Sequence, residues 1–294
     1  MALPDIQVAA HLADDVGEGP IWDPRTSALH WVDITSRLVH SVSIADGRTR
    51  SYPLSEMPGS LHLTAEPRRV RVTTCTGIQS LDLHTGRCEA IGPALQLSPG
   101  LRFNEGKTDP YGRIVAGTMN LDQEAAAGTF MIFDAQGNSN PLFAPMTVPN
   151  GLDWSDDRRS LFHIDSVERS VRAFKYPSNG APLANPEVVL DLKNERGVPD
   201  GMCMDAEGML WIAFFGGHQV ARFDLVTRAC LLRLEFPVSQ ITSCCFGGSE
   251  LRHLYVTSAR FRLQPEKLAE EPLAGALFRV NVGVRGRPAF IVAN

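Results

Sequence analysis

Short runs of apolar and β-branched residues recur along the chain with polar positions between them, the two-residue period of strands that bury one face. Leu29–Asp33, Val70–Thr74, Ile114–Thr118, Leu161–Asp165, Leu210–Ala213 and Leu254–Thr257 are such runs, preceded by turn sequences such as Asp109-Pro110-Tyr111-Gly112 and Asp205-Ala206-Glu207-Gly208. Their starts lie 41 to 49 residues apart, within the range that signals propeller blades. Six recurrences predict six blades.

A second strand with its own turn follows most of these runs: Val39–Ile44 before Asp46-Gly47, Ile78–Leu83 before Thr85-Gly86, and Thr129–Phe133 before Gln136-Gly137. The later copies are Val171–Phe174, Gln219–Phe223 and Ala276–Val280. A blade of about four strands cannot bury both faces alone, so several must pack face to face around an axis. The expected fold is therefore all-β, a six-bladed β-propeller, with residues 1–294 as one domain. Strands near Ile6–Val8 and Phe290–Val292 are expected to share a blade and close the ring. Pro177–Pro182 and Gln264–Glu271 read as surface excursions, the second with a short helical turn.

Composition narrows the partners. The net charge is -5, and the densest basic cluster, Arg68-Arg69-Val70-Arg71, reads as a solvated strand edge. Neither nucleic acid nor a membrane is an expected partner. The N-terminus has no basic segment followed by a long apolar run, and no later stretch approaches the ~18 apolar residues of a membrane span. The default expectation is cytoplasmic. Cys75, Cys88, Cys203, Cys230, Cys244 and Cys245 lack metal-ligand spacing and read as buried free thiols.

A propeller does not fix chemistry, because the same fold serves enzymes and interaction scaffolds. No Gly-x-Ser-x-Gly elbow, His-Glu-x-x-His pair or phosphate-binding glycine loop occurs. What remains are three oxygen-bearing side chains beside glycine and proline: Glu18 in Gly17-Glu18-Gly19, Asn150 in Pro149-Asn150-Gly151, and Asp200 in Pro199-Asp200-Gly201. Taken singly they read as ordinary turns. In a closed ring, equivalent blade ends converge on the axis, where two carboxylates and an amide oxygen suit Ca²⁺, Mg²⁺ or Mn²⁺, with Zn²⁺ and Fe²⁺ also open.

Together with Arg102-Phe103-Asn104-Glu105-Gly106-Lys107, Gly117-Thr118-Met119 and Cys245-Phe246-Gly247-Gly248, these motifs resemble the senescence-marker protein, regucalcin and gluconolactonase family over nearly the whole chain. The resemblance implies a metal-dependent lactonase that opens a small-molecule sugar-acid lactone to its aldonic acid. It implies Glu18, Asn150 and Asp200 as ligands of one divalent metal ion on the axis, with Arg102 and Asn104 as substrate-binding residues. Two departures stand out. Glu105 replaces the aspartate of the family's usual Arg-x-Asn-Asp-Gly loop, and Asn120-Leu121-Asp122 stands where an acidic pair follows Gly-Thr-Met, which aligns Asp122 with a substrate-side acid. Asp165 matches a family strand end and reads either as a site residue or as a structural aspartate.

The implied chemistry is hydrolysis, in which a divalent ion polarises the lactone carbonyl and lowers the pKa of water from ~16 toward ~7. Asp200 would be both ligand and general base. Other readings stay open: a noncatalytic calcium-binding or regulatory propeller, an interaction propeller in which the three residues are unrelated turns, or a metal-dependent aryl esterase or phosphotriesterase.

Overall fold

The runs read from the sequence are strands, and each sits second in a four-stranded antiparallel sheet. In a computed structural model that describes residues 5–123 and 126–293, the chain builds six such sheets; residues 1–4, 124, 125 and 294 of the expected domain lie outside the described residues. Blade 1 is Gly17–Asp23, Ala28–Asp33, Leu38–Ser43 and Thr49–Pro53, and blade 2 is Pro58–Leu63, Arg69–Thr74, Gly77–Asp82 and Cys88–Ile91. Blade 3 is Leu101–Thr108, Ile114–Asn120, Gly128–Phe133 and Ser139–Met146; blade 4 is Pro149–Trp154, Ser160–Asp165, Ser170–Lys175 and Glu187–Asp191. Blade 5 is Val198–Met204, Leu210–Phe215, Gln219–Phe223 and Cys230–Glu235. Blade 6 is Ile241–Gly247, His253–Ser258, Ala276–Asn281 and, from the opposite end of the chain, Ile6–His11. The first strand of every blade touches the first strands on both sides, so these six inner strands close around the axis. The fold is a six-bladed β-propeller.

Local chemistry explains the turns. Asp109 Oδ1 accepts the N–H groups of Tyr111 and Arg113, both at 2.8 Å, and Asp205 Oδ1 accepts those of Glu207 and Met209 at 2.9 and 3.0 Å. An aspartate that satisfies two backbone donors makes a tight reversal between the first and second strands. Large side chains such as Trp31, Trp154 and Trp211 are then wholly buried, which holds the blades together by removing apolar area from water.

Ring closure differs from the expectation in one respect. Ile6–His11 does join blade 6, but its partner is Ala276–Asn281, and Phe290–Val292 forms no strand. With that edge taken, the C-terminal tail runs along the blade ends instead. Val292 N–H donates to Leu63 O at 2.8 Å, Ala293 N–H to Gly112 O at 2.9 Å, and Arg287 Nη2 to Asp153 Oδ1 and Trp154 O, each at 2.7 Å. Pro265–Glu270 forms the short helix expected there, and among the described residues no helix is long and apolar enough to cross a membrane. All six cysteines are free, but only Cys203 and Cys244 are buried.

One irregularity recurs in every blade. The pairing of inner and second strands slips at Glu18/Ile21, Pro58/Leu61, Phe103/Gly106, Pro149/Leu152, Pro199/Met202 and Ile241/Cys244. A β-bulge re-aims side chains and bends the strand. Pro149-Asn150-Gly151 and Pro199-Asp200-Gly201 are thus bulges inside strands, not turns. Their glycines are required because the neighbouring inner strand passes so close: a Cβ on Gly151 would lie 2.8 Å from Asp200 O, and one on Gly201 would lie 2.1 Å from Ser243 Oγ.

Candidate functional site

Four of the six bulges carry the polar groups singled out from the sequence. Glu18 and Asn150 are each 6% exposed, Asp200 7%, Asn104 6% and Glu105 3%, so blades 1, 3, 4 and 5 place charge and amide groups where water is largely excluded. The supports behind them are aspartates at the ends of second strands. Asp33 accepts the N–H groups of Asp15 and Val16 at 2.9 and 3.0 Å, and Asp165 accepts those of Thr147 and Val148 at 2.7 and 3.0 Å. Each pins the loop that leads into Glu18 or Asn150. Of the two readings of Asp165, the structural one holds.

The electrostatics show which groups gather. Burial pushes the Glu18 carboxyl well above its usual range, and the nearby Asp200 and Glu105 carboxylates push it further; the Gly19 N–H, 2.7 Å from Glu18 Oε2, and Arg102 oppose the rise. Asp200 is raised by burial and then by Glu105, against Arg102 and the Gly201 N–H. Glu105 is raised to about 7 by burial, with Lys107 the largest opposing influence. Arg102 is lowered to about 10 by burial, with Glu18 foremost among the charges that oppose the fall. Glu105 therefore belongs to the same cluster, although sequence reasoning gave it no role.

Hydrogen bonds connect the remaining residues. Arg102 Nη1 donates to Phe103 O and Asn104 Oδ1, both at 2.8 Å; Asn104 Nδ2 donates to Pro149 O and Asn150 Oδ1, both at 2.9 Å. Asn150 Nδ2 donates to Ser166 Oγ at 2.8 Å. Ser166 is a second residue without an assigned role at the level of sequence, where a serine after a strand carries no signal. Asp122 lies on the exposed turn after Ile114–Asn120, at the Arg102 end of blade 3, and its N–H meets Asn120 Oδ1 at 3.4 Å.

A cation fits this cluster. Three buried carboxylates face one guanidinium and the Lys107 ammonium, and Lys107 is already engaged, 2.6 Å from Met202 O and 3.7 Å from Asp153. Glu105 Oε2 is buried with no hydrogen-bond partner. Uncompensated buried charge of one sign is costly, and an all-oxygen donor set suits a hard divalent ion. A cavity of about 570 Å³ is lined by Glu105, Lys107, Asp153 and Arg287 and extends toward the C-terminal tail rather than over Glu18 or Asp200. Glu105 stands where cavity and acid cluster meet.

A separate group of acids and imidazole, Asp14, Asp33 and His40, is also gathered closely enough to ligate an ion. Its atoms are engaged with one another and with the backbone. His40 Nε2 faces Asp14 Oδ1 at 3.2 Å and His40 Nδ1 faces Ser51 Oγ at 2.8 Å, while Trp31 Nε1 donates to Asp14 Oδ2 at 2.6 Å. This chain ties blade 1 to the loop from blade 6.

A six-bladed propeller with an acidic, oxygen-rich cluster at its inner bulges defines the class. The chain belongs to the family described as SMP-30/Gluconolactonase/LRE-like region, which matches residues 16–260. It is similar to regucalcin of Danio rerio, 35% identical over 283 residues and covering 94% of each chain. YvrE of Bacillus subtilis (strain 168), whose name contains the words sugar lactone lactonase, is 30% identical over 271 residues and 92% of each chain. Among solved structures, a calcium-binding protein, regucalcin, from Agrobacterium tumefaciens str. C58 superposes with a TM-score of 0.93 at 28% identity, covering 100% of both chains.

Proposed function

We propose that this protein hydrolyses a sugar-acid lactone to the open aldonic acid, with one divalent cation held by Glu18, Asn150 and Asp200. The observation that carries the reading is the coupling of the buried, under-neutralised Glu18 and Asp200 carboxylates with Arg102, whose hydrogen bonds lead through Asn104 to the Asn150 amide oxygen, in a family that includes proteins named for lactone hydrolysis. A bound divalent ion supplies Lewis-acid polarisation and a charge that offsets the carboxylates. Ca²⁺, Mg²⁺, Mn²⁺, Zn²⁺ and Fe²⁺ all meet that requirement.

The chain's own residues supply the rest. The Asp200 carboxylate accepts a proton from the attacking water as the water oxygen adds to the acyl carbon, and the ring C–O bond then breaks with the leaving ring oxygen taking that proton from Asp200, which restores the carboxylate. Arg102 uses Nη1 to hold Phe103 O and Asn104 Oδ1, which leaves its other N–H groups for ring oxygens and for negative charge that develops on the carbonyl. Asn104 has both amide N–H groups engaged, so it meets substrate through the second lone pair of Oδ1, which suits a hydroxyl donor. Asp122, on the rim, is assigned to a sugar hydroxyl at the outer side of the pocket.

Lactone opening measured on metal-free protein, then with single ions restored, tests the reading across gluconic, xylonic, arabinonic and galactonic lactones. Turnover is expected only with an ion present. Full turnover by protein shown to be metal-free would reject the cation. Ca²⁺ binding with no turnover on any lactone would favour a calcium-binding role of the kind named in the Agrobacterium relative.

A further inference from the structure

The two amides in the site have their ends fixed by neighbours that can only donate or only accept. Arg102 Nη1 has no lone pair, so the Asn104 atom 2.8 Å from it is Oδ1. The other end of Asn104 lies 2.9 Å from the Pro149 carbonyl, which cannot donate, so it is Nδ2; its second N–H then meets Asn150 Oδ1 at 2.9 Å. At the far side Ser166 Oγ is 2.6 Å from the Pro199 carbonyl, which takes the hydroxyl proton. Asn150 faces the lone pairs that remain on Ser166, at 2.8 Å, and must present Nδ2 to them. Every assignment agrees with the next. The bonds run in one direction, from Arg102 through Asn104, Asn150 and Ser166 to the carbonyl just before Asp200, and so cross from blade 3 to blade 4 to blade 5.

We propose that Ser166 is a positioning residue for the cation site, fixing the amide of Asn150 so that Oδ1 keeps one lone pair for Asn104 and the other for the ion. This inference rests on the cation reading above, but not on lactone turnover. Ser166 is 6% exposed, so water does not readily replace it. The arrangement also accounts for an amide at position 150. A carboxylate there would set an oxygen against Ser166 Oγ, and the serine proton would have to leave Pro199 O to relieve the clash of lone pairs. Either Pro199 O or the new carboxylate oxygen would then be unsatisfied, which is costly in a buried site. An asparagine satisfies Ser166 and Asn104 together while still offering oxygen to a cation.

The test is titration calorimetry of the full chain, stripped of metal, with Mn²⁺ alone and with Ca²⁺ alone. Ser166→Ala should weaken binding by roughly 10- to 100-fold, the range seen when an outer partner of a metal ligand is removed. Ser166→Thr keeps the hydroxyl and should restore wild-type affinity, whereas a role in packing alone would make the bulkier threonine the worse variant. Should Ser166→Ala fail to fold, Ser166→Cys, similar in size but a weak donor and acceptor, serves for the same measurement and should also bind weakly. Unchanged ion affinity in Ser166→Ala, or in Ser166→Cys where that variant is used, overturns the inference while the cation reading stands. A wild-type chain that binds neither ion overturns both. A wild-type chain that binds ion but opens no lactone, with binding weakened in Ser166→Ala, overturns the lactonase reading and supports this one.

Discussion

Asp200→Asn should change stability in opposite directions with and without a cation. The substitution keeps the shape of a side chain that is 7% exposed and removes a charge that burial and Glu105 both disfavour. In metal-free protein that charge is a liability, and each unit by which a carboxyl is raised corresponds to ~1.4 kcal/mol. The metal-free variant should therefore be the more stable of the two at pH 7, and each kcal/mol of difference raises the melting temperature by roughly 2–4 °C for a chain somewhat smaller than this one. Cation reverses the order. At an ion concentration 100 times its Kd, the wild-type protein gains ~2.7 kcal/mol; a variant that binds 100-fold more weakly gains only ~0.4 kcal/mol.

The assay is differential scanning calorimetry of chelated protein, repeated with added Mn²⁺ and paired with lactone turnover. The variant should melt above wild type when metal-free, gain little from the ion, and lose most of its kcat. A metal-free variant that melts below wild type would show that Asp200 is compensated by something other than a cation. Near-normal kcat at full metal occupancy would remove Asp200 from the reaction.

Two further outcomes follow from the fold. Burial holds His30 at about 4 and His62 at about 3, and holds His163 well below its usual range, so the unfolded chain takes up these protons first as pH falls below ~6.5. The stability that these neutral imidazoles contribute should be complete near pH 7 and fall through that window; His30 alone accounts for about 2 kcal/mol between pH 7 and 5, and His30→Leu should flatten a plot of urea midpoint against pH, with an unaltered slope counting against a neutral buried His30. Gly201→Ala places a Cβ 2.1 Å from Ser243 Oγ and 2.8 Å from Ser243 Cα, a clash that no rotamer relieves, so it should cost ~1–3 kcal/mol; a melting temperature equal to wild type would show that the blade 5 and blade 6 inner strands separate easily.

The strands were legible because their signal is local. Gln219–Phe223 matches its expected bounds at both ends, and the second-strand runs differ from theirs by no more than two residues. The bulges were not legible, because a bulge and a turn ask for the same residues. Pro149-Asn150-Gly151 satisfies a turn rule from sequence alone, and only the approach of Asp200 O on the next blade shows why the glycine is needed. Phe290–Val292 has strand composition, yet the edge it would occupy is taken by Ile6–His11, a competition that lies outside any local window. Glu105 was noted only as a departure and Ser166 was given no role, for a related reason. Their roles depend on partners in other blades, Asp200 for one and Pro199 O for the other.

The recurrence of one bulge in all six blades also bears on how such a site is assembled. Blades 1, 3, 4 and 5 carry acids and amides there, whereas blades 2 and 6 carry hydroxyls that are used for packing. Ser60 Oγ meets Thr73 Oγ1 and His62 Nε2, each at 2.9 Å, and Thr242 Oγ1 donates to Gly17 O at 2.6 Å. The last of these bonds joins the final blade to the strand that carries Glu18. A single backbone device therefore serves both closure and chemistry, with the side chain in each bulge deciding between them. Exchange of a side chain within a bulge alters the donor set on the axis without disturbing the hydrogen-bonded ladder on either side. Glu105 occupies the blade 3 bulge. Its carboxyl carries a partnerless oxygen to the junction of the acid cluster and the cavity, so shortening it by one methylene in Glu105→Asp would act where charge from the site meets the interior of the ring.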